Sequence, residues 1–96
     1  MTDQGGKGVT RTLEIRNVKG LHARASAKFV EVVEAHDATA LVEKDGIEAE
    51  GDSIMGLLML AASRGTTIDV QTSGPDAAAL MEALDNLVAD MFGEGE

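Results

Sequence analysis

Cysteine is absent from the 96-residue chain. Disulfides, thiolate metal centres and thiol nucleophiles are therefore excluded. Tryptophan and tyrosine are missing as well, and Phe29 and Phe92 are the only aromatic residues. A base-stacking or sugar-stacking platform is not to be expected. Basic residues are scarce, eight against seventeen acidic ones, for a net charge of −9. That balance argues against nucleic-acid binding. No apolar run approaches the roughly 18 residues of a bilayer span. Met1 to Gly8 is polar and Gly-rich, unlike the apolar core of a signal peptide. The expectation is a cytoplasmic, monomeric protein that does not insert into a membrane.

What is present fits one small domain. Hydrophobic residues make up 44% of the chain. With so few aromatics, Ala, Val, Leu, Ile and Met must fill the core. A chain this short buries only about 60–65% of its unfolded surface, so the core is thin, one layer of helices on one sheet. The charge is unevenly spread. Lys7, Arg11, Arg16, Lys19, Arg24 and Lys28 face only Glu14 in their segment, which carries +5, while the rest carries −14. A basic patch on an acidic chain points to an anionic ligand or an acidic partner.

Hydrophobic patterning orders the chain. Residues 1–8 read as a disordered tail. Val9 to Arg16 alternates, with Val9, Leu13 and Ile15 on one face, and reads as a strand. Gly20 bends the following loop. A helix from His22 to Ala35 places Ser26, Phe29, Val30 and Val33 on its buried stripe. Thr39 to Lys44 and Ile47 to Glu50 read as strands joined by the Asp45-Gly46 hairpin. Asp52 or Ser53 caps a second helix, Ile54 to Ser63, with Leu57, Leu60 and Ala61 facing the sheet. Thr66 to Thr72 is a fourth strand. The last helix opens at Ser73-Gly74-Pro75-Asp76 and buries Ala77, Leu80, Met81, Leu84, Leu87, Val88 and Met91. Residues 93–96 fray. The order is β-α-β-β-α-β-α, an α+β domain over residues 9–92.

His22 stands at the start of the first helix, where no Ser, Thr, Asp or Asn offers a capping oxygen. The first N–H groups of a helix lack intrahelical partners. Together with the helix dipole they form an anion site beside the histidine. A neutral imidazole nitrogen is a nucleophile suited to phosphoryl transfer. Arg24, in the first turn, can pair with phosphoryl oxygens bidentately. Gly20 presents no side chain to an arriving donor. His36 lies at the end of the same helix, where the dipole favours it. Two histidines so separated make no metal pattern, and neither a metal nor a cofactor is expected. No Walker-type loop, nucleophile elbow or dinucleotide fingerprint is present.

The run Gly20-Leu21-His22-Ala23-Arg24-Ala25-Ser26-Ala27 resembles the active-site segment of HPr, the histidine-containing phosphocarrier of the bacterial phosphoenolpyruvate-dependent phosphotransferase system. Asp52-Ser53-Ile54-Met55-Gly56-Leu57-Leu58-Met59-Leu60-Ala61 resembles the second signature of that family, around its regulatory serine. The resemblance covers residues from about 9 to 92. It implies an open-faced β-sandwich, three helices on one face of a four-stranded antiparallel sheet ordered 1-4-2-3. It implies a phosphoryl carrier, working through a phosphohistidine, rather than a stand-alone turnover enzyme. Enzyme I, charged by phosphoenolpyruvate, would phosphorylate His22 on Nδ1, and an enzyme IIA-type protein would take the group. Ala23 and Arg24 would hold the phosphoryl oxygens. Ser53 aligns with the serine that HPr kinase/phosphorylase modifies in some bacteria. The first two helices would form the partner face, with Ala27, Lys28, Ile54, Met55 and Leu58 as its candidates.

Three departures from the family stand out. Ala25 replaces a usual proline and restores an N–H. Asp52 precedes Ser53 where serine-regulated members often carry a basic or amide residue. Glu31 and Glu34 stand where many sugar-type carriers place lysines. Both a sugar-uptake chain and a nitrogen-related regulatory chain remain open, as does a regulatory docking module without catalysis, switched at Ser53.

Overall fold

The computed structural model describes residues 8–94. The expected disordered tail falls almost wholly on residues 1–7, outside the described residues, as do residues 95–96. The strands are β1 (Val9–Glu14), β2 (Thr39–Lys44), β3 (Ile47–Glu50) and β4 (Thr67–Ser73). The helices are α1 (Ala23–Glu34), α2 (Ile54–Met59) and α3 (Ala77–Ala89), and a short turn, Met91–Gly93, follows α3. The four strands form one sheet in the order β1-β4-β2-β3, antiparallel throughout. Order and pairing match the expectation from sequence.

Alternation sets which side of each strand is covered. Leu13, Ile15, Ala40, Val42, Ala49, Ile68 and Val70 are buried, and their neighbours in sequence face outward or lie half-buried. β4 is central, so both its ladders are paired. The helices bring Ala25, Phe29, Val30 and Val33 from α1, Leu57 from α2, and Leu80, Met81, Leu84 and Val88 from α3. Phe29 and Phe92 are fully enclosed. Each such side chain contributes about 1.5–3 kcal/mol by leaving water. Arg11 lies on the helix side of edge strand β1 and binds Asp85 at 2.6 Å and Glu82 at 3.1 Å, both on α3. Those two carboxylates hold its guanidinium pKa above the ordinary value, Asp85 contributing most. The pairs tie the last helix to the strand that starts the described domain.

At Asp45-Gly46 both residues have positive φ, 54° and 83°, as a type I′ hairpin turn requires. The second helix is shorter than its sequence pattern. It ends at Met59, with Leu60 as C-cap, because Ala61 enters the left-handed region at φ 52°. Leu57 and Leu60 are buried as expected, but Ala61 is exposed and Ala62 takes the inward position. The chain turns there to present the Ala62 carbonyl to Leu21 N at 2.9 Å. The last helix begins at Ala77, so Asp76, expected in its first turn, is the N-cap residue and Pro75 precedes the helix. The Asp76 carboxylate accepts from Asp37 N at 2.8 Å instead of capping its own helix. Met91, expected on the buried stripe of α3, lies past the helix end and is only half-buried.

Candidate functional site

The loop before α1 is fixed from three sides. Gly20 N donates to Asn17 O at 3.2 Å, Leu21 N to Ala62 O at 2.9 Å, and the Asn17 side-chain amide to Gly20 O at 2.8 Å. Gly20 has φ +67°, and a Cβ there would stand 2.4 Å from Ala62 O and 2.9 Å from Ser63 Cα. The glycine is thus required by packing against the backbone after α2. The expectation that it clears a path for a donor is not met, since a side chain there would point into the protein.

His22 is the N-cap residue of α1, extended at φ −80° and ψ −176°. Its carbonyl accepts the first helical hydrogen bond, from Ser26 N at 2.8 Å. Its Nδ1 accepts from Arg24 N across a long 3.3 Å. The helix start is therefore capped, by the imidazole of His22 itself. On the other side of the ring, Nε2 meets a carboxylate oxygen of Glu94 in a short contact. These two partners settle where the proton sits. A backbone N–H only donates, so Nδ1 carries a lone pair. A carboxylate only accepts, so Nε2 carries the hydrogen. The ring keeps 25% of its side-chain exposure, so it is neither sealed beneath its neighbours nor free.

Glu94 lies 72 residues from His22 in sequence. It follows a left-handed turn in which Met91 and Phe92 both have φ 55° and Gly93 has φ 75°. Two non-glycine residues in that region cost roughly 1–2 kcal/mol each. Two contacts hold them there. Phe92 is fully buried in the core, and the Lys28 ammonium donates to Phe92 O at 2.6 Å. Gly93 and Glu94, the described part of the segment expected to fray, close this turn through Gly93 N to Asp90 O at 3.0 Å and Glu94 N to Met91 O at 2.9 Å. Asn17, fully buried, gives its second amide hydrogen to the other Glu94 oxygen at 3.0 Å. Its Oδ1 meets no donor among the described residues. Burial pushes the Glu94 pKa up, but the hydrogen bonds from His22 and Asn17 and the charge of Lys19 outweigh it and hold the carboxyl below its ordinary value. It stays ionised.

Beside the ring lies an open depression lined by Val18, Lys19, Arg24, Lys28, Gly93 and Glu94. Its lining brings together three cations and the Glu94 carboxylate. Arg24 is exposed, and its guanidinium has no ion-pair partner among the described residues. Ala23, the first residue of α1, is exposed at the helix start. The second site residue, Ser53, is the N-cap of α2, and its Oγ accepts from Gly56 N at 3.0 Å. Next to it Ile54 and Met55 are exposed, and Met59 is 72% exposed. Leu58, Ala27 and Lys28 are half-buried. His36 donates from Nδ1 to Val32 O at 2.7 Å, a carbonyl near the end of α1. No cluster of three or more potential metal ligands occurs among the described residues. No helix among them is long and apolar enough to cross a membrane.

Sequence reasoning pointed to His22 and Arg24, and the structure puts both at the start of α1. It did not point to Glu94, which lies against the ring, or to Asn17, which lies against Glu94. Neither carries a local signal, since their meaning lies in a contact closed by the whole fold.

Comparison with known proteins places these features in company. Residues 9–90 match the family model of the phosphotransferase-system HPr component phosphorylation site. Phosphocarrier protein HPr of Neisseria meningitidis is 46% identical over 86 residues, covering 90% of this chain and 97% of that protein. Phosphocarrier protein NPr of Escherichia coli K12 is 38% identical over 87 residues, with the same two coverages, 90% and 97%. The crystal structure of HPr from Thermoanaerobacter tengcongensis superposes with a TM-score of 0.85 at 36% identity, covering 90% of this chain and 97% of that one.

Proposed function

This chain belongs to the HPr family of phosphocarrier proteins, and on that footing we propose that it accepts a phosphoryl group from phospho-enzyme I on Nδ1 of His22 and passes it to an enzyme IIA-type protein. The observation that carries this reading is the unprotonated Nδ1 at the start of α1. A lone pair there is aimed at the region where backbone N–H groups and the positive end of the dipole receive an anion. Lys19, Arg24 and Lys28 line the adjoining recess. The Ala23 and Arg24 N–H groups and the Arg24 guanidinium are the proposed holders of the phosphoryl oxygens. Transfer of this kind needs positioning and charge stabilisation more than covalent assistance.

Ile54, Met55, Leu58, Ala27 and Lys28 form the proposed docking face, on which Met59 also stands exposed. Methionine adapts to differently shaped partners, as a carrier that must leave each of them requires. The reading entails a cytoplasmic protein. Regulation at Ser53 is a further part of it: a kinase would have to free Oγ from Gly56 N, after which phosphate oxygens could take over the cap.

The test is incorporation of labelled phosphate from phosphoenolpyruvate in the presence of enzyme I. Label is expected in the parent chain and lost in His22→Ala. Label surviving that substitution would overturn the assignment. Running sugar-type and nitrogen-type enzyme I proteins side by side identifies the branch by the faster donor.

A further inference from the structure

We propose that the groove between the end of α1 and the β2–β3 edge of the sheet docks an arginine side chain of a basic partner protein, apart from the surface around His22. The inference does not rest on the reading of His22 as a phosphoryl acceptor.

The groove follows from two strands of unequal length. β2 pairs with β4 from Thr39 to Glu43, but with β3 only from Leu41 to Lys44. The outer edge at Thr39 and Ala40 therefore has no strand beside it. The chain leaves β3 through Gly51, whose N–H donates to Ala40 O at 2.8 Å. A Cβ on Gly51 would stand 2.8 Å from Ala40 Cβ and 3.2 Å from Ala40 O, so only glycine lets the chain press in here. Glu50 and Asp52 flank that glycine and are both exposed. The result is an open groove of about 460 Å³. Val33, Ala38, Ala40 and Leu41 supply its apolar lining, and Glu50 and Asp52 its charge. The Thr39 and Ser73 hydroxyls, also in the lining, lie 3.0 Å apart and satisfy each other.

An apolar lining with two carboxylates fits a guanidinium on an alkyl stem. The stem covers the lining, and the planar fork pairs with the carboxylates. No Lys or Arg of this chain lines the groove. Neither Glu50 nor Asp52 makes an ion pair among the described residues. The surroundings carry the same sign. Glu43 lies opposite Glu48 on β3 and Asp69 on β4, and all three are exposed. Alternation puts them on the same side of the sheet as Leu41 and Glu50. That field draws in a basic surface and repels an acidic one. Small-molecule sites enclose most of their ligand, whereas this groove is open and its carboxylates are exposed. It needs the surface of a larger partner to close it. α1 spans twelve residues, so about 18 Å of helix separates the groove from His22. A partner held here leaves the His22 surface open.

The test is amide NMR of the full chain, titrated with a blocked Ala-Ala-Arg-Ala-Ala peptide and with its citrulline counterpart, which keeps the shape of arginine and loses the charge. The arginine peptide is expected to shift Val33, Ala38 to Leu41 and Glu50 to Asp52, and to leave residues 20–28 in place. The citrulline peptide should shift none of them. Glu50→Gln combined with Asp52→Asn should weaken binding about fivefold. Glu43→Gln combined with Glu48→Gln removes the same charge beside the groove and should weaken it by less than about twofold. Agmatine, a free guanidinium on an alkyl stem, should bind more weakly than the peptide. Equal losses in the two double variants would show diffuse attraction and overturn the proposal. Equal shifts with both peptides, shifts centred on residues 20–28, or no shifts up to about 10 mM peptide would overturn it too. Agmatine binding as tightly as the peptide would overturn the assignment to a partner protein.

Discussion

Replacing Gly20 with alanine asks whether the loop before His22 is held by packing or merely left open for access. Two costs follow from the structure. At φ +67° an L-residue loses roughly 1–2 kcal/mol. The added Cβ would also lie 2.4 Å from Ala62 O and 2.9 Å from Ser63 Cα. Both contacts are backbone, so neither side can swing away. Overpacking of that kind costs about 1–3 kcal/mol. The sum, about 2–5 kcal/mol, is a large share of the roughly 5–15 kcal/mol that stabilises an ordinary domain. Urea unfolding followed by circular dichroism is the assay. With a slope near 1 kcal/mol/M for a chain of this size, the midpoint should drop by about 2 M or more at unchanged slope. A midpoint within about 0.5 M of the parent, with phosphoryl uptake slowed, would refute the packing argument and restore the idea that Gly20 is there to admit a donor.

Three further perturbations probe other parts of the molecule. Ser53→Ala removes the oxygen that caps Gly56 N and should destabilise the protein by about 1 kcal/mol in urea unfolding, whereas Ser53→Asp should retain most of the cap. Met55→Gln and Met59→Gln change side chains 69% and 72% exposed. Stability should move by no more than about 0.5 kcal/mol, while the KM for a phosphoryl acceptor rises roughly fivefold per side chain if each contributes about 1 kcal/mol to docking. Glu94 has a folded pKa below its ordinary 4.5. Its contribution to stability is therefore present above the unfolded value and lost as pH falls through the folded one. Glu94→Gln should narrow the difference in urea midpoint between neutral pH and about pH 3.

The fold was legible because its elements are written locally. Alternation marks β1 and β4 and Asp45-Gly46 marks the hairpin, whereas the order β1-β4-β2-β3 is implied by the family resemblance and by no local pattern. The misreadings fall where tertiary contact overrides a local pattern. The apolar run from Ile54 continues past Met59, so periodicity alone extends α2. The chain leaves the helix at Ala61 instead, because the Ala62 carbonyl is wanted by Leu21 N. Asp76 reads as a first-turn residue but sits in the capping position, and its carboxylate turns to Asp37 N, joining the loop after α1 to the start of α3.

The site shows the same division more sharply. From sequence, α1 begins without a cap, because the rule looks for Ser, Thr, Asp or Asn. The structure supplies the cap with the imidazole itself, so that Nδ1, the proposed phosphoryl acceptor, already serves the helix start. This has a chemical consequence. In the proposed transfer, phosphorylation of Nδ1 would remove the acceptor of the Arg24 N–H and put phosphoryl oxygens in its place, so the helix start would exchange a long neutral hydrogen bond for charge-assisted ones. That exchange would favour the phosphorylated state without requiring α1 to move. The carboxylate that completes the arrangement arrives from the far end of the chain, through a core phenylalanine and a left-handed turn that no local rule would assign. A site residue placed in this way is visible only once Phe92 is seen in the core and Lys28 on its carbonyl.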